Sequence, residues 1–385
     1  MKTTHQLRFA DAKKMKGVAD QSIDLVVTSP PYPMIEMWDD TFAAQSQKVA
    51  AALEDQNGDQ AFEMMHQVLD RVWKEVVRIL KPGGFACINI GDATRTIGKR
   101  FMLYPNHARI LSYLYGKGLC PLPAVLWRKQ TNAPNKFMGS GMLPAGAYVT
   151  LEHEYVLILR KGDKREFDIP SEKADRRRSA LFWEERNQWF SDVWMDLKGA
   201  RQAMQDKKVR DRSGAFPFEL PYRLINMYSV AGDTVLDPFL GAGPTMIAAM
   251  VSARNSVGFE LEAEFVEEIR KTVDQIVPFG NQVITGRLAR HEEFVKDRLS
   301  AGKAIKHESA SYGFPVVTQQ EKEIFFHRPK RVDSEEKDRF VVSYRTAPLK
   351  EDLNQPAEAA EPVKEAAADT APSDSPKSPK QQDLF

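Results

Sequence analysis

The sequence predicts an α/β protein built on a mostly parallel sheet with helices on both faces. Three short apolar runs, Leu25–Thr28, Phe85–Ile90 and Ser256–Glu260, have the length and composition of buried strands. Between the first two, apolar residues recur at spacings of three and four from Gln60 to Leu80, which predicts a helix. Strands that alternate with helices are typical of a parallel sheet covered on both faces.

Composition limits the class of protein. The chain has 385 residues, 42% of them hydrophobic, which is enough for one large domain with attachments. A net charge of +1 argues against a uniformly basic coat for nucleic acid, so any nucleic-acid-binding face must be local. Two cysteines, Cys87 and Cys120, predict a reducing compartment without disulfides or a zinc site. Because no signal peptide or membrane-length apolar run is found, we expect a cytoplasmic protein with no membrane partner. We also expect no bound metal.

The stretch Asp24–Tyr32 carries the first functional pattern. Two prolines end the predicted strand and hold the chain in one extended shape, with Ser29 before them and Tyr32 after them. A flat heterocycle with an exocyclic amine can stack on Tyr32 while Ser29 Oγ and the Pro30 carbonyl accept its amine hydrogens. A strand that ends in a Pro-Pro turn, with Tyr32 as packing, explains the same residues.

A second stretch identifies the pattern. Thr28-Ser29-Pro30-Pro31-Tyr32 resembles the catalytic motif of the amino-methyltransferases, which methylate exocyclic amines of DNA bases with S-adenosylmethionine. The downstream sequence LDPFLGAGPT, from Leu236 to Thr245, resembles the cofactor motif of the same family. Catalytic motif first and cofactor motif second is the order of the beta class, and the resemblance covers most of the chain.

The resemblance implies a permuted Rossmann-like methyltransferase sheet that binds S-adenosylmethionine and double-stranded DNA. It identifies Ser29, Pro30 and Tyr32 as catalytic residues acting on a base flipped out of the duplex. Ser29 favours the N4 of cytosine in a specific site, since adenine-specific relatives more often carry Asp or Asn there. The N6 of adenine, a protein amide nitrogen and a non-enzymatic DNA-binding protein on the same fold stay open as alternatives. A cognate restriction enzyme acting on the same site also stays open.

The resemblance also implies a cofactor site built from both halves of the chain. Asp11 ends a predicted strand and is expected at the adenine amine, with a helix cap as the alternative role. Glu260 ends another strand and is expected to accept the ribose hydroxyls. The residues expected to bind the cofactor are Asp11, Thr28, Phe216, Pro217, Asp237, Phe239, Gly241, Gly243, Thr245 and Glu260.

The remaining elements of the catalytic half follow in order. Residues 33–58 lack a clear period and predict a mobile loop over the active site. A helix is predicted over residues 106–115, and strands over 123–129 and 154–161, joined by a loop rich in Gly, Pro and Asn. Trp127 and Lys129 match a Trp-x-Lys signal that the family places beside the flipped base, with core packing as the alternative for Trp127.

Residues 162–212 break the alternation of strands and helices. Basic residues interleave with aromatic ones there, which suits contact with phosphates and bases. Solvated helices around a small aromatic core would give a similar pattern, but the position in the family favours target recognition. The residues expected to contact DNA are Arg176, Arg177, Arg178, Lys207, Lys208 and Arg210.

We therefore predict a catalytic half (1–161), a target-recognition region (162–212), a cofactor half (213–277), an unassigned extension (278–348) and a disordered tail (349–385). The tail ends in Gln381-Gln382-Asp383-Leu384-Phe385, which resembles the peptide by which bacterial replication and repair proteins bind the sliding clamp. Leu384 and Phe385 would fill an apolar pocket, and Gln381 would bond at its edge. A merely solubilising end is the alternative.

Overall fold

The computed structural model describes residues 1–129, 138–197, 216–336 and 338–348. Its strands, in chain order, are β1 Lys2–Phe9, β2 Ile23–Thr28, β3 Leu80–Ile90, β4 Ala93–Ile97, β5 Arg100–Tyr104, β6 Leu119–Arg128, β7 Met138–Gly139, β8 Ala147–Tyr148, β9 His153–Lys161, β10 Val193–Trp194, β11 Thr234–Asp237, β12 Asn255–Glu260, β13 His307–Glu308, β14 Pro315–Val316, β15 Pro329–Glu336 and β16 Arg339–Tyr344. Ten of these strands form one sheet, in the order β10-β6-β9-β3-β2-β11-β12-β1-β16-β15.

Five neighbouring strands in the middle of this sheet are parallel. β2 lies between β3 and β11, and the parallel part continues through β12 to β1. Antiparallel strands flank it, with β9 beside β3 and β16 beside β1. The carboxyl ends of the parallel strands form one edge of the sheet, the carboxyl edge, and their amino ends form the opposite amino edge. The predicted mostly parallel sheet is confirmed.

Helices cover both faces of the sheet. They are α1 Asp39–Gln45, α2 Gln47–Glu54, α3 Gly58–Ile79, α4 Asn106–Gly116, α5 Pro170–Arg178, α6 Trp183–Trp189, α7 Glu219–Tyr228, α8 Pro244–Val251, α9 Phe265–Asp274 and α10 Ile276–Ser300. None of these helices, within the residues described, is long and apolar enough to cross a membrane.

The central strand β2 is buried along its whole length because both of its faces are covered. Leu25 and Val27 point into one core, which α7 and α8 close. Val26 points into the other, which α1 to α4 close. The alternation follows from the two-residue period of a strand, and burial on both faces explains why the three residues before Thr28 are all apolar.

Residues 33–58 are not the loop that the sequence predicted. A single helical turn at Glu36–Trp38 leads into α1 and α2, which bury Phe42 and Val49. These two helices have only seven and eight residues. About two turns are too few to display a helical period, and the predicted loop is therefore wrong.

The extension, which had no predicted structure, completes the sheet. β16 lies antiparallel to β1, with Val342 opposite Thr3. The hydroxyls of Thr3 and Tyr344 meet at 2.8 Å in the interior. β15 then pairs with β16 and forms the end of the sheet. The extension is thus part of the ten-stranded sheet and not an appended unit.

Buried polar contacts attach α10 of the extension to α6. Arg287, whose side chain is 1% exposed, pairs through two nitrogens with Glu185. His291 donates from Nδ1 to Glu184 at 2.8 Å and from Nε2 to the Pro315 carbonyl at 3.1 Å. Burial alone lowers the pKa of His291, but the Glu184 carboxylate raises it overall. Since both ring nitrogens are engaged as donors, this ring offers no lone pair to a metal.

We predict that Glu185→Ala destabilises the protein strongly, because it leaves the Arg287 charge buried without its carboxylate. Removing one partner of a buried pair costs about 3–5 kcal/mol. Glu323→Ala is the matched control: it removes the partner of exposed Arg177, at 3.4 Å, and such pairs contribute roughly 0–1 kcal/mol. Urea unfolding measures both, and equal midpoints for the two variants would contradict the prediction.

Candidate active site

The predicted catalytic motif follows β2 at the carboxyl edge. The helices after β2 and β11 cover opposite faces of the sheet, so a crevice opens between the ends of these two neighbouring strands. Ligands bind at such a switch point in open α/β sheets. A cavity of about 340 Å³ lies there, lined on one side by Ser29, Pro30 and Tyr32 and on the other by Phe239 and Glu260.

A chain of hydrogen bonds fixes Tyr32. Ser29 Oγ donates to Tyr32 Oη at 3.1 Å, and Tyr32 Oη donates to Glu154 Oε2 at 2.9 Å. Asn89 Nδ2 donates to the same two oxygens, at 2.8 Å and 2.6 Å. Lys129 Nζ contacts the other oxygen of Glu154. Burial and the Glu154 carboxylate raise the pKa of Tyr32 well above its usual value, so the phenol stays protonated and acts as a donor.

Sequence reasoning missed Asn89 and Glu154. Asn89 is the one amide in the apolar run Phe85–Ile90 and is 1% exposed. A buried polar side chain in a strand requires partners, and this was the available signal. Glu154 is the second residue of β9, which runs antiparallel to β3, so its amino end reaches the carboxyl edge. The backbone of Gly91 admits the ring of Tyr32, since a Cβ there would lie 2.9 Å from Cε2.

Glu260 anchors the glycine loop that follows β11. Its Oε2 accepts from the Gly241 N–H at 2.8 Å, and Oε1 accepts from the N–H groups of Leu261 and Glu262 at 2.7 Å and 2.9 Å. Gly241 has a φ of 52°, which glycine adopts freely. Burial raises the pKa of Glu260. Three of its roughly four lone-pair positions are used, which leaves one for a ligand hydroxyl.

Thr28, Asp237 and Thr245 form a buried link beneath the cavity. Thr28 Oγ1 donates to Asp237 Oδ1 at 2.6 Å, and Thr245 Oγ1 donates to Oδ2 at 2.8 Å. Burial raises the pKa of Asp237 to about 6, and at neutral pH the carboxylate accepts both hydroxyls. Asp237 lines the cavity, but neither threonine does. The hydroxyls of the two threonines join β2, β11 and α8, which gives no support to their expected contact with the cofactor, and that contact stays a prediction.

The other predicted cofactor residues divide into two groups. Phe216 and Phe239 line the cavity, as does Asp11. The Asp11 carboxylate also accepts from the Lys13 N–H at 2.9 Å, but residues 12–17 form turns and not a helix, so the alternative role as a helix cap is wrong. Pro217 and Gly243 do not line the cavity. Both shape the backbone: Pro217 precedes α7, and Gly243 has a φ of 85° directly before α8.

Apolar side chains that the sequence did not identify close the cavity. Met37, Trp38 and Phe42 come from the helical segment that was predicted as a loop, and Leu69 and Val72 come from α3. The helical period of α3 predicts core packing and gives no sign of a ligand. Together these side chains give the cavity a wall suited to a flat aromatic ligand.

The Trp-x-Lys pair has split roles. Trp127 is buried, and its Nε1 donates to the Leu197 carbonyl at 3.0 Å, as the packing alternative holds. Lys129 lines the cavity, with Nζ 4.6 Å above the Trp127 ring. Only the lysine thus reaches the site.

The predicted DNA-binding arginines lie away from the cavity, on α5. The hydroxyl of Ser179, next to α5, accepts from the Ala231 N–H just before β11, which places α5 at the amino edge. Arg176 lies over the Phe167 ring, Arg177 pairs with Glu323, and Arg178 pairs with Asp175. This position gives no support to the DNA contact expected of the three arginines, which stays a prediction.

Most aromatic residues of the same region belong to the core. Phe182, Trp189 and Trp194 are buried, whereas Trp183 and Phe190 are about two-fifths exposed, at 39% and 41%. The small aromatic core that was the alternative interpretation is therefore present. Lys207, Lys208, Arg210, Gln381, Leu384 and Phe385 lie outside the described residues.

Comparison with known proteins agrees with this geometry. A DNA methylase family model matches residues 23–271, which include both motifs. Type II methyltransferase M.MthZI of Methanothermobacter thermautotrophicus is 48% identical over 346 residues, 90% of this chain and 96% of its own. Type II methyltransferase M.MjaI of Methanocaldococcus jannaschii is 48% identical over 271 residues, 68% of this chain and 88% of its own.

The solved structure of a similar protein contains a bound cofactor. TTHA0409 of Thermus thermophilus, described as a DNA modification methylase and solved with S-adenosyl-L-methionine, has a TM-score of 0.55 and 30% identity over 71% of this chain and 96% of its own. The free acceptor of Glu260 and the aromatic walls beside Asp11 fit the same molecule here. The chain belongs to the family of N6/N4 amino-methyltransferases of DNA and uses S-adenosylmethionine as its methyl donor.

Proposed function

We propose that this enzyme methylates the exocyclic N4 of cytosine in a specific site of double-stranded DNA. The observation that carries the proposal is the hydroxyl of Ser29 at the cavity, one residue before the Pro30 carbonyl and 3.1 Å from the Tyr32 phenol. This arrangement offers two acceptors to one amine, next to an aromatic ring. The amine must leave the duplex to reach a cavity of this kind.

Different residues of the cavity act on the methyl donor and on the amine. Bound S-adenosylmethionine supplies an electrophilic methyl group, held by Glu260, Asp11 and the aromatic walls. An exocyclic amine is a weak nucleophile because its lone pair is delocalised into the ring. Ser29 Oγ and the Pro30 carbonyl accept its two hydrogens, which favours a tetrahedral nitrogen with a directed lone pair. Orientation of the two reactants supplies most of the remaining acceleration.

The relatives suggest the biological setting. Both curated relatives are named Type II methyltransferases, and we extend this to site-specific modification here, with a restriction enzyme of the same specificity as partner. Since its substrate is DNA, we propose that the enzyme acts in the cytoplasm at the nucleoid. The N6 of adenine is the second candidate acceptor, since the matched family includes both chemistries.

We predict that the reaction product is N4-methylcytosine. DNA methylated by the purified enzyme is hydrolysed to nucleosides and analysed by mass spectrometry, with DNA treated without methyl donor as control. If the product contains N6-methyladenine and no N4-methylcytosine, the prediction is wrong and the acceptor is the N6 of adenine.

We predict opposite effects for the two ends of the cavity. Ser29→Ala raises the activation free energy of methyl transfer by about 2–4 kcal/mol, which slows turnover. It leaves cofactor affinity intact, because Ser29 acts on the amine. Glu260→Ala weakens cofactor binding by about 1.5–3 kcal/mol, the range for a hydrogen bond to a charged group. Calorimetry measures cofactor binding, and Glu264→Ala, which removes an exposed carboxylate nearby, is the control. Normal turnover in Ser29→Ala would refute its role.

We also propose that the C-terminal peptide binds the sliding clamp. Leu384 and Phe385 form an apolar pair at the end of a polar tail, and Gln381 precedes them. Tethering to the clamp would raise the effective concentration of enzyme at newly copied DNA.

We predict that a labelled peptide of the final ten residues binds purified bacterial clamp weakly. Exchange of Leu384 and Phe385 for Ala abolishes binding, because the apolar anchors are lost, and a peptide with the last five residues shuffled is the control. Fluorescence anisotropy measures the affinity. Absence of binding at high micromolar concentrations of clamp would refute the proposal and leave the tail only a solubilising role.

A further inference from the structure

The hydrogen bonds that join Ser29, Tyr32 and Glu154 all donate in the same direction, toward Glu154. The Glu154 carboxylate only accepts, so the phenol donates its single proton to Glu154 Oε2. Asn89 Nδ2 donates to the same carboxylate oxygen and to the phenol oxygen, which fixes both. The hydroxyl proton of Ser29 then points to Tyr32 Oη. Ser29 Oγ therefore keeps its lone pairs for the cavity, as an acceptor of amine hydrogens must.

We propose that Glu154 is a positioning residue of methyl transfer and the final proton acceptor, acting through Tyr32 and Ser29. The proposal rests on the proposed role of Ser29 at the amine, and it assigns to Tyr32 a task beyond stacking. A ring alone would be served equally well by phenylalanine. The three groups that surround the Tyr32 hydroxyl have no use in stacking.

The proton balance is simple. The C–N bond forms with the lone pair of the amine while the C–S bond of the methyl donor breaks, and its electrons remain on sulfur. The new ammonium nitrogen releases one proton to Ser29 Oγ. Ser29 passes its own hydroxyl proton to Tyr32 Oη, and Tyr32 passes its proton to Glu154 Oε2. The base leaves as a neutral methylated amine, and Glu154 carries the proton.

The surroundings favour concerted transfer along this chain. The raised pKa of Tyr32 disfavours a free phenolate, so its proton leaves as the next one arrives. The side chain of Glu154 is 12% exposed, whereas that of Lys129 is 41% exposed and contacts its other oxygen. Lys129 balances the carboxylate charge at the opening of the site, where the proton can return to solvent.

A second carboxylate at the same edge of the sheet, that of Asp92, already accepts hydrogen bonds from another residue. Asp92 follows β3 closely, but its oxygens accept from the backbone N–H and the Nδ1 of His107, at 3.0 Å and 2.7 Å. Asp92 does not line the cavity, whereas Glu154 does. The geometry thus selects the acid from β9.

The test uses full-length enzyme with Tyr32→Phe and Glu154→Gln. Tyr32→Phe removes one oxygen and retains the ring; Glu154→Gln retains shape and removes the charge. Glu152→Gln is the matched control, since Glu152 lies two residues away and pairs with Arg128 on the surface. Three quantities are measured: DNA affinity, fluorescence of 2-aminopurine at the target position as a report of base flipping, and the single-turnover methylation rate.

We expect Tyr32→Phe and Glu154→Gln each to lower the single-turnover rate by roughly 100-fold, the lower range for a positioned base. DNA affinity and the fluorescence change should stay within about twofold of wild type, because the ring and the cavity remain. The double variant should be no slower than the single ones, since both break one chain. Glu152→Gln should match wild type.

Three results would overturn the proposal. A wild-type rate in Tyr32→Phe would leave the phenol a stacking role only. A parallel loss of rate and fluorescence in Tyr32→Phe would assign the hydroxyl to holding the flipped base and not to proton transfer. Additive losses in the double variant would separate Glu154 from Tyr32. Absence of DNA methylation by the wild-type enzyme is a different result, which refutes the proposed function itself.

Discussion

The site depends on one buried interaction, the carboxylate of Asp237 held between the hydroxyls of Thr28 and Thr245. Thr28 ends the strand directly before Ser29, and Asp237 ends the neighbouring strand before the glycine loop. These two residues are 209 positions apart in the chain, and their hydrogen bond joins the two motifs where the strands end. In a low-dielectric interior such a charge-assisted bond is strong, and its loss would leave an unpaired carboxylate.

The link explains why the two motifs can act on one reaction. Ser29 follows Thr28 directly, and Gly241 and Glu260 are joined by their own hydrogen bond on the other side of Asp237. The acceptor end and the donor end of the cavity therefore share one rigid floor. Methyl transfer needs two reactants aligned to within a fraction of an ångström, and a floor made of two hydrogen-bonded strands provides this better than two loops.

The sequence predicted the mostly parallel sheet and the residues of both motifs, because these follow from strand length and from residues adjacent in the chain. The contact of Thr28 and Thr245 with Asp237 was not predicted, since a sequence does not reveal whether a hydroxyl meets a buried carboxylate. It missed α1 and α2 because two turns show no period. It assigned Arg176, Arg177 and Arg178 to DNA contact from their charge, which does not reveal the edge of the sheet on which a helix packs, and that contact stays a prediction.

Glu154, which sequence reasoning missed, shows a further limit of prediction from sequence. In a parallel sheet, functional side chains follow the strands, and a search along the chain looks after each apolar run. β9 runs the other way, so Glu154 reaches the carboxyl edge from the start of its strand. One reversed strand beside β3 thus brings a carboxylate to within 2.9 Å of the Tyr32 hydroxyl. The antiparallel pairing of β9 with β3, which the amino-acid sequence alone does not reveal, thus brings Glu154 to the candidate active site.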